Sequence, residues 1–114
     1  MAIVNITVSN DADFYRIFQY QTLSGVPINI SGASFVMMLR RRAEDNVAVM
    51  RLGTDTGEMV ITDAANGMFS VRIAQYDLER LGLGDFAHSN VMTTAGYKSN
   101  IWTGTFTNNA GAAR

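Results

Sequence analysis

The amino-acid sequence predicts an all-β sandwich or barrel with one short helical segment. Segments rich in β-branched and aromatic residues recur along the chain, and clusters of Gly, Asn, Asp and Ser separate them. Apolar and polar residues alternate within several of these segments, as they do in strands with one buried face. A chain of 114 residues is expected to form one core, so residues 1–114 are predicted to be a single domain.

The first quarter of the chain supplies a first strand and an aromatic strand. Residues 1–12 are predicted to form an N-terminal strand and the turn after it, because β-branched residues precede Ser9, Asn10 and Asp11. In the next segment, alternation places four side chains on the face that is expected to point inward: Phe14, Arg16, Phe18 and Tyr20. The one proline, Pro27, lacks a backbone donor and is expected to begin a short strand through Ile30.

The run from Ser34 to Leu39 is apolar on both faces of a strand. This pattern predicts a central strand whose second face is covered by the core or by a partner. Arg40, Arg41 and Arg42 follow it and mark where the strand leaves the core. A short strand around Met50 and Leu52 is predicted next.

The second half of the chain is expected to hold a hairpin, a helical turn and two long strands. Residues 58–62 and 68–73 are predicted strands, joined by a hairpin connection in which Asn66 and Gly67 can take positive φ at little cost. One or two helical turns are predicted near residues 75–81, with Gly82 as a C-terminal cap. The last strand, near residues 98–108, is expected to be an open edge for strand addition. Residues 109–114 are expected to be a flexible tail.

Charge and cysteine content exclude several classes of function. The formal net charge of −1 lacks the basic excess that nucleic-acid binding requires, so no nucleic-acid partner is expected. Only 17% of residues are charged, which suits contact with other proteins. The absence of cysteine excludes zinc knuckles, iron–sulfur clusters and thiol catalysis. No signal peptide and no membrane-spanning run are recognised, so no membrane association is expected.

The residues that could carry chemistry point to no catalytic, cofactor or metal site. His88 is the only histidine, and its neighbours Ser89 and Asn90 alternate along a predicted strand, so a structural role is expected for it. The acidic residues of two segments lack the spacing of a calcium loop and are better explained as turn residues: Asp11, Asp13, Asp55, Glu58 and Asp63.

Four residues are candidates for contact with a partner: Arg40, Arg41, Arg42 and Tyr97. Alternation sends Arg41 to one face of the strand and Arg40 and Arg42 to the other, so the arginines do not form a continuous phosphate patch. They are interpreted as a solvated strand end or as an ion-paired contact with a neighbouring subunit. Tyr97 is expected in a turn, with its ring free. A carbohydrate-binding protein would need exposed aromatic side chains, and the candidates are Tyr15, Tyr76, Tyr97 and Trp102, although Trp102 is expected in the core.

The order of these segments resembles small virion proteins of tailed phages. The resemblance is carried by three stretches: Gly25-Val26-Pro27-Ile28-Asn29-Ile30-Ser31-Gly32 leading into Phe35-Val36-Met37-Met38-Leu39-Arg40, Asp63-Ala64-Ala65-Asn66-Gly67, and Trp102-Thr103-Gly104-Thr105-Phe106-Thr107. It implies a single immunoglobulin-like antiparallel β-sandwich of about seven to eight strands, similar to N-terminal domains of phage baseplate and receptor-binding proteins. Asn29 departs from the family pattern, where Asp is common, and Ser89-Asn90 replaces the usual Asp-Leu.

The resemblance implies a non-enzymatic structural subunit that docks onto other virion proteins in the tail, the baseplate or the fibre attachment. A head-decoration protein that stabilises the capsid is the first alternative, and a carbohydrate-binding module is the second. On this interpretation the chain is a repeated subunit or a homo-oligomer in the virion, is assembled in the host cytoplasm and needs no cofactor.

Overall fold

The computed structural model describes residues 2–113 as two β-sheets, one α-helix and a single 3₁₀ turn. The strands are β1 (Ala2–Ile3), β2 (Ile6–Ser9), β3 (Phe14–Gln19), β4 (Ser34–Arg40), β5 (Met50–Gly53), β6 (Met59–Asp63), β7 (Met68–Ile73), β8 (Gly84–Thr94) and β9 (Tyr97–Asn109). The 3₁₀ turn is Ala64–Asn66, and the helix α1 is Gln75–Leu81. The all-β prediction and the predicted helical segment at residues 75–81 are both confirmed.

The strands divide into a six-stranded and a three-stranded sheet. The six-stranded sheet has the order β1-β9-β8-β4-β5, with β2 also paired to β9, and the three-stranded sheet has the order β3-β7-β6. Strands β4, β5, β8 and β9 occupy the places of C, C′, F and G in an immunoglobulin variable-type domain, and β3, β6 and β7 those of B, D and E. The expected immunoglobulin-like sandwich is therefore confirmed.

The N-terminal segment forms two strands rather than one, and both run parallel to β9. Ala2 and Ile3 pair with Trp102 and Thr103, and β2 pairs with the end of β9 after an interruption at residues 4–5. Every other ladder in the described residues is antiparallel, as expected. At the interruption the chain crosses close over Gly104, where a Cβ atom would collide with the Val4 carbonyl. Glycine is therefore required at this position by contact rather than by its φ angle.

The core lies between the inner faces of the two sheets. The buried apolar side chains come from β2, from every strand from β4 to β9, from α1 and from Ile30 in the loop before β4, and the largest of the fully buried ones are Phe35, Phe69, Phe86 and Phe106. An aromatic cluster joins the sheets, since the Phe69 ring lies 4.6 Å from that of Phe35 and 5.7 Å from that of Trp102. Trp102 is only 5% exposed, which confirms its predicted core position.

The three-stranded sheet follows the predicted alternation. Phe69, Val71 and Ile73 of β7 are buried. Phe14 and Phe18 of β3 are half-buried and pack against the core. Arg16 shares their face and lies across both rings, with its guanidinium carbon 5.4 Å and 5.7 Å from the ring centroids.

The segment after Pro27 differs from the prediction because residues 28–33 form no strand. Their backbone donors bond to scattered loop carbonyls instead of a neighbouring ladder: the Ile28 amide donates to Tyr20 and the Ile30 amide to Ala64. Ile30 is nevertheless only 2% exposed, so its side chain packs in the core although its backbone is part of a loop.

The last strand and the residues after it also differ in detail from the sequence reading. A bulge opposite Asn90 and Val91 places Ile101 between two register pairs, so that Ile101 and its neighbour Trp102 are both buried. Strand β9 is not an open edge, because β8 pairs with one side of it and β1 and β2 with the other. Residues 109–113 are not all outside the packed fold: β9 ends at Asn109, and the buried Gly111 donates its amide to Asn10 Oδ1 at 2.8 Å.

Candidate functional site

The outer face of the six-stranded sheet carries a groove of about 480 Å³, which we call the sheet groove. It follows strands β4, β8 and β9 and is bounded on one side by β5 and by Ala43 of the loop after β4. The apolar part of its lining consists of Val36, Met38, Ala87 and Val91. The hydroxyl groups in its lining belong to Ser89, Thr93 and Thr103.

Strand alternation and register assemble this surface. On β4, Phe35, Met37 and Leu39 point into the core, so the residues between them lie on the outer face. Val36 of β4 pairs with Val91 of β8, and two residues further along Met38 pairs with Ser89. Arg40 of β4 pairs with the small Ala87 of β8, and Lys98 of β9 pairs with Thr93, so the long cationic side chains stand beside shorter ones. The apolar outer face of β4, predicted from the sequence, is the floor of this groove.

Three cations line the sheet groove, and no carboxylate of residues 2–113 does. Arg51 is already paired, since both guanidinium amino groups contact the Asp55 carboxylate at 3.1 and 3.2 Å. This contact holds the pKa of Asp55 below its usual range. Within the described part of the chain, Arg40 and Lys98 have no acidic partner.

Arg40 is fixed in the wall of the groove. Its Nη1 donates to the Asp45 carbonyl at 3.1 Å, and its Nη2 lies 3.6 Å from Met38 Sδ. The Asp45 carboxylate in turn accepts the Arg42 amide at 3.1 Å, which closes the turn that follows β4. A guanidinium has five N–H donors, so these two contacts leave others available to a ligand in the groove that Arg40 lines.

The three consecutive arginines have separate environments, as their alternation predicts. Arg41 lies on the opposite side from Arg40, with its guanidinium carbon 4.4 Å from the Phe86 ring centroid and its Nη1 donating to the Leu83 carbonyl. Arg42 is exposed and lies 3.9 Å from Glu44 and 3.6 Å from Asp45. Of the three, Arg40 alone lines the groove.

Tyr97 is the first residue of β9, pairs with Thr94 and is 78% exposed. It stands at the opposite end of β8 from Arg40, which pairs with Ala87. From the rise per residue, these two partner candidates are separated by about 24 Å along the sheet. The structure thus does not bring the four candidates into one site. The sequence reading missed Lys98, Arg51 and the hydroxyl side chains of the groove, because their convergence depends on strand order.

His88 of β8 belongs to the lining of the groove, but its side chain is buried in the core. Its ring is 3% exposed and lies edge-on to the Trp102 and Phe106 rings, and its Nε2 contacts the Val4 carbonyl at 2.8 Å. Burial lowers the pKa of His88, although the contact with Val4 opposes that effect. The neutral ring therefore donates from Nε2 and holds the N-terminal segment on the sheet.

The acidic residues that were considered as ligands have structural contacts of their own. Asp13 accepts the Gln75 amide at 2.7 Å and lies 3.5 Å from Arg72, and Asp63 accepts the Asn66 amide nitrogen at 2.8 Å. Glu58 accepts the Gly53 amide and the Thr56 hydroxyl. Among residues 2–113, no three His, Asp or Glu side chains are grouped in a way that could hold a metal ion.

The exposed tyrosines lie on three different elements. Tyr15 is on the outer face of β3, Tyr76 is on α1 and Tyr97 begins β9, with exposures of 59%, 64% and 78%. None of them lines the sheet groove. No helix in the described part of the chain is long and apolar enough to cross a membrane.

The open edges of both sheets carry features that discourage strand addition. In the six-stranded sheet the edge strand β5 has only four residues, and β1 and β2 at the other edge have two and four. In the three-stranded sheet the edge strand β6 contains a register irregularity between Ile61 and Asp63. Strand β3 places the charged Arg16 on its inward face. Short strands, bulges and inward-pointing charges are the devices by which natural sheets avoid edge pairing.

Comparison with known proteins gives similarity at the level of the fold. No protein-family model matches the chain, and no curated protein does. Among solved structures, it is similar to the N-terminal domain of phage TP901-1 ORF48, with a TM-score of 0.51 and 16% identity over 96% of this chain and 84% of that one. It also matches murine CRIg with a TM-score of 0.46 and 12% identity, covering 94% of this chain and 92% of that one. The fold implied by the sequence resemblance to phage proteins is thus confirmed.

Proposed function

We propose that this protein is a non-enzymatic structural component of a phage virion that docks onto other virion subunits. The observation that carries the proposal is the similarity in fold to the N-terminal domain of phage TP901-1 ORF48, which extends over 96% of the chain. The order of sequence motifs, obtained without the structure, supports the same assignment. On this proposal the protein needs no cofactor and resides in the virion after assembly in the host cytoplasm.

The sheet groove is the docking surface on this proposal. It combines an apolar floor with unpaired cations, whereas the open edges are short, irregular or guarded by an inward charge. Arg40 and Lys98 are the contact residues that we assign to it. Tyr97, at the end of the β8–β9 hairpin, is a contact residue for a neighbouring subunit, and the chain is present in several copies.

We place the protein in the tail, the baseplate or the fibre attachment, and quantitative mass spectrometry of purified virions tests this placement. A few copies per particle, measured against the major capsid protein, are expected. Near-stoichiometric amounts would instead support the head-decoration alternative or a tail-tube role. Absence of the chain from the particle would overturn the structural function and reopen an enzymatic one.

A glycan array tests the carbohydrate-binding alternative on the same purified protein. No glycan binding is expected, because the exposed tyrosines lie on separate elements and Trp102 is buried. Binding that is lost in Tyr97→Ala would contradict the docking proposal and assign Tyr97 to a sugar site. Trp102 is unsuitable for this test, since its replacement would disturb the core.

A further inference from the structure

We infer that the sheet groove accepts an extended segment of its partner that presents acidic side chains at two ends and aliphatic side chains between them. This inference rests on the proposed docking function and specifies the chemistry of the partner. It is carried by the composition of the groove, by the positions of its two unpaired cations and by the openness of the sheet face on which they lie.

The floor of the groove favours aliphatic side chains. Val36, Met38 and Val91 lie side by side through the pairing of β4 with β8 and remain half-buried. Covering them with apolar groups removes apolar surface from water, which favours binding. Methionine adapts its side chain to branched partners of different shape. The floor therefore gives affinity without demanding one particular residue.

The ends of the groove favour carboxylates. Arg40 is opposite Ala87 and Lys98 is opposite Thr93, so the two cations flank the apolar floor from different ends and different strands. The part of the chain that the structure describes offers neither of them an acidic partner, although the formal charge of the whole chain is −1. This local excess of positive charge complements an acidic partner and repels a basic one.

The separation of the cations indicates an extended segment rather than a single residue. Ala87 and Thr93 are about 20 Å apart at the rise of a β-strand, which six to seven extended residues also span. In an extended segment, alternate side chains point to the same side. The first and the seventh residues of a bound heptapeptide would therefore reach the two cations, and the third and the fifth would reach the apolar floor. The half-exposed lining is less suited to a small molecule, because pockets for such ligands enclose most of the ligand surface.

A titration with a defined peptide tests this inference on the purified full chain. The probe is a capped heptapeptide with glutamate at both ends, valine at the third and fifth positions and threonine elsewhere. Amide chemical shifts of the ¹⁵N-labelled protein are expected to change along β4, β8 and the middle of β9. The same peptide with glutamine in place of both glutamates is expected to bind about fivefold more weakly, which corresponds to the loss of two solvated ion pairs.

Single substitutions separate the two cations from a general effect of charge. Arg40→Gln and Lys98→Gln are each expected to weaken binding of the acidic peptide about two- to threefold and to leave binding of the glutamine peptide unchanged. Arg80→Gln removes the same charge from α1, where Arg80 lies over the Tyr76 ring, and is expected to leave both affinities unchanged. The dispersion of the amide spectrum shows that each variant is folded.

Three results would overturn the inference: equal affinity for the two peptides, chemical-shift changes confined to the three-stranded sheet, or no change at millimolar acidic peptide. The outcome is independent of the virion measurement. If the chain binds the acidic peptide but is absent from virions, the proposed function is refuted and the inferred preference of the groove for an acidic segment stands. A chain found in virions that does not discriminate between the peptides would refute the groove chemistry alone.

Discussion

His88 links the N-terminal segment to the aromatic core through one hydrogen bond. Its ring packs edge-on against Trp102 and Phe106, and Nε2 reaches the Val4 carbonyl. Its Nδ1 is buried and has no hydrogen-bond partner among the described residues. A proton added to Nδ1 would place a charge in the core without a partner, which burial makes unfavourable.

The lowered pKa of His88 predicts acid-sensitive stability. Because the folded state binds this proton less readily than the unfolded state, the free energy of unfolding is expected to fall as pH decreases from about 6.5 through the folded-state pKa, and to level off below it. Urea unfolding at several pH values between 7.5 and 4.5, roughly the range in which histidine titrates, measures this loss.

His88→Gln is the matched control for that measurement. Its amide keeps a donor for the Val4 carbonyl but does not titrate, so its stability is expected to be nearly independent of pH over this interval. Asp55 also has a lowered pKa, but its contribution to stability is lost as pH falls through and below the ordinary aspartate pKa of 3.8, outside this interval. An equal pH dependence in wild type and His88→Gln would assign the effect to another group.

The helix α1 owes its position to contacts from distant strands rather than to its own seven residues. Isolated helices of this length are not stable in water. At its start, the Gln75 amide donates to Asp13, and in its middle the Leu78 side chain is fully buried. At its end, the Asn108 side-chain amide nitrogen donates to the Leu78 and Gly82 carbonyls at 2.8 and 2.9 Å. Asn108 therefore satisfies C-terminal carbonyls that the helix itself leaves without partners.

Asn108→Ala is expected to lower the free energy of unfolding by about 1–3 kcal/mol, because it leaves two carbonyls without their buried donor. Asn108→Asp is expected to cost more, since a carboxylate cannot donate and would face the carbonyl oxygens. Asn109→Ala, on the exposed neighbouring residue, is expected to change stability by less than about 0.5 kcal/mol. Urea unfolding at neutral pH measures all three, and a similar cost for residues 108 and 109 would contradict this role.

Elements with a strong local pattern are those that the sequence predicted best. The alternation of β7, the apolar run of β4 and the leucine spacing of α1 depend on neighbouring residues only. The strand predicted from Pro27 to Ile30 is absent, because apolar β-branched residues also suit a buried loop whose amides donate to carbonyls elsewhere. The bulge at Ile101 likewise escaped prediction, because a bulge is defined by the partner strand.

The candidate site was predictable only in part. The apolar outer face of β4 and the opposite directions of Arg40 and Arg41 follow from alternation within one strand. The groove also takes residues from other strands, namely Arg51 of β5 and Lys98 and Thr103 of β9. They converge only because the strand order in the sheet is β9-β8-β4-β5. A single sequence does not encode that order in any local pattern, so the unpaired charges of the groove became visible only with the strand pairing.

At the scale of the whole molecule, β1 and β2 protect the longest strand. Strand β9 has thirteen residues, and without its parallel partners much of one side would present unpaired backbone groups. Ile6 and Val8 of β2 also cover the core, with exposures of 1% and 6%. The N-terminal strands thus contribute both packing and protection against association.

Deletion of residues 2–9 is expected to produce self-association that rises with protein concentration, because it exposes the β9 edge. Size-exclusion chromatography over a range of concentrations measures this, and circular dichroism shows whether the β-structure remains. Ile6→Ala separates packing from edge exposure: it is expected to cost about 2–5 kcal/mol of stability while eluting as the full-length chain does. A β-structured deletion variant with unchanged elution would show that β9 does not need this cover.

The parallel pairing of the first strands with the last also has a consequence for biosynthesis. The Thr105 amide bonds to Asn5 across 100 positions, and the Gly111 amide bonds to Asn10 across 101. During translation, residues 2–9 are made long before their partner strand, so the six-stranded sheet closes only after β9 has been made. Such distant contacts slow folding, because the entropy of ordering the intervening chain is lost before the contacts form. We therefore expect this edge to be completed late, and nascent chains to depend most on chaperones just before β9 emerges.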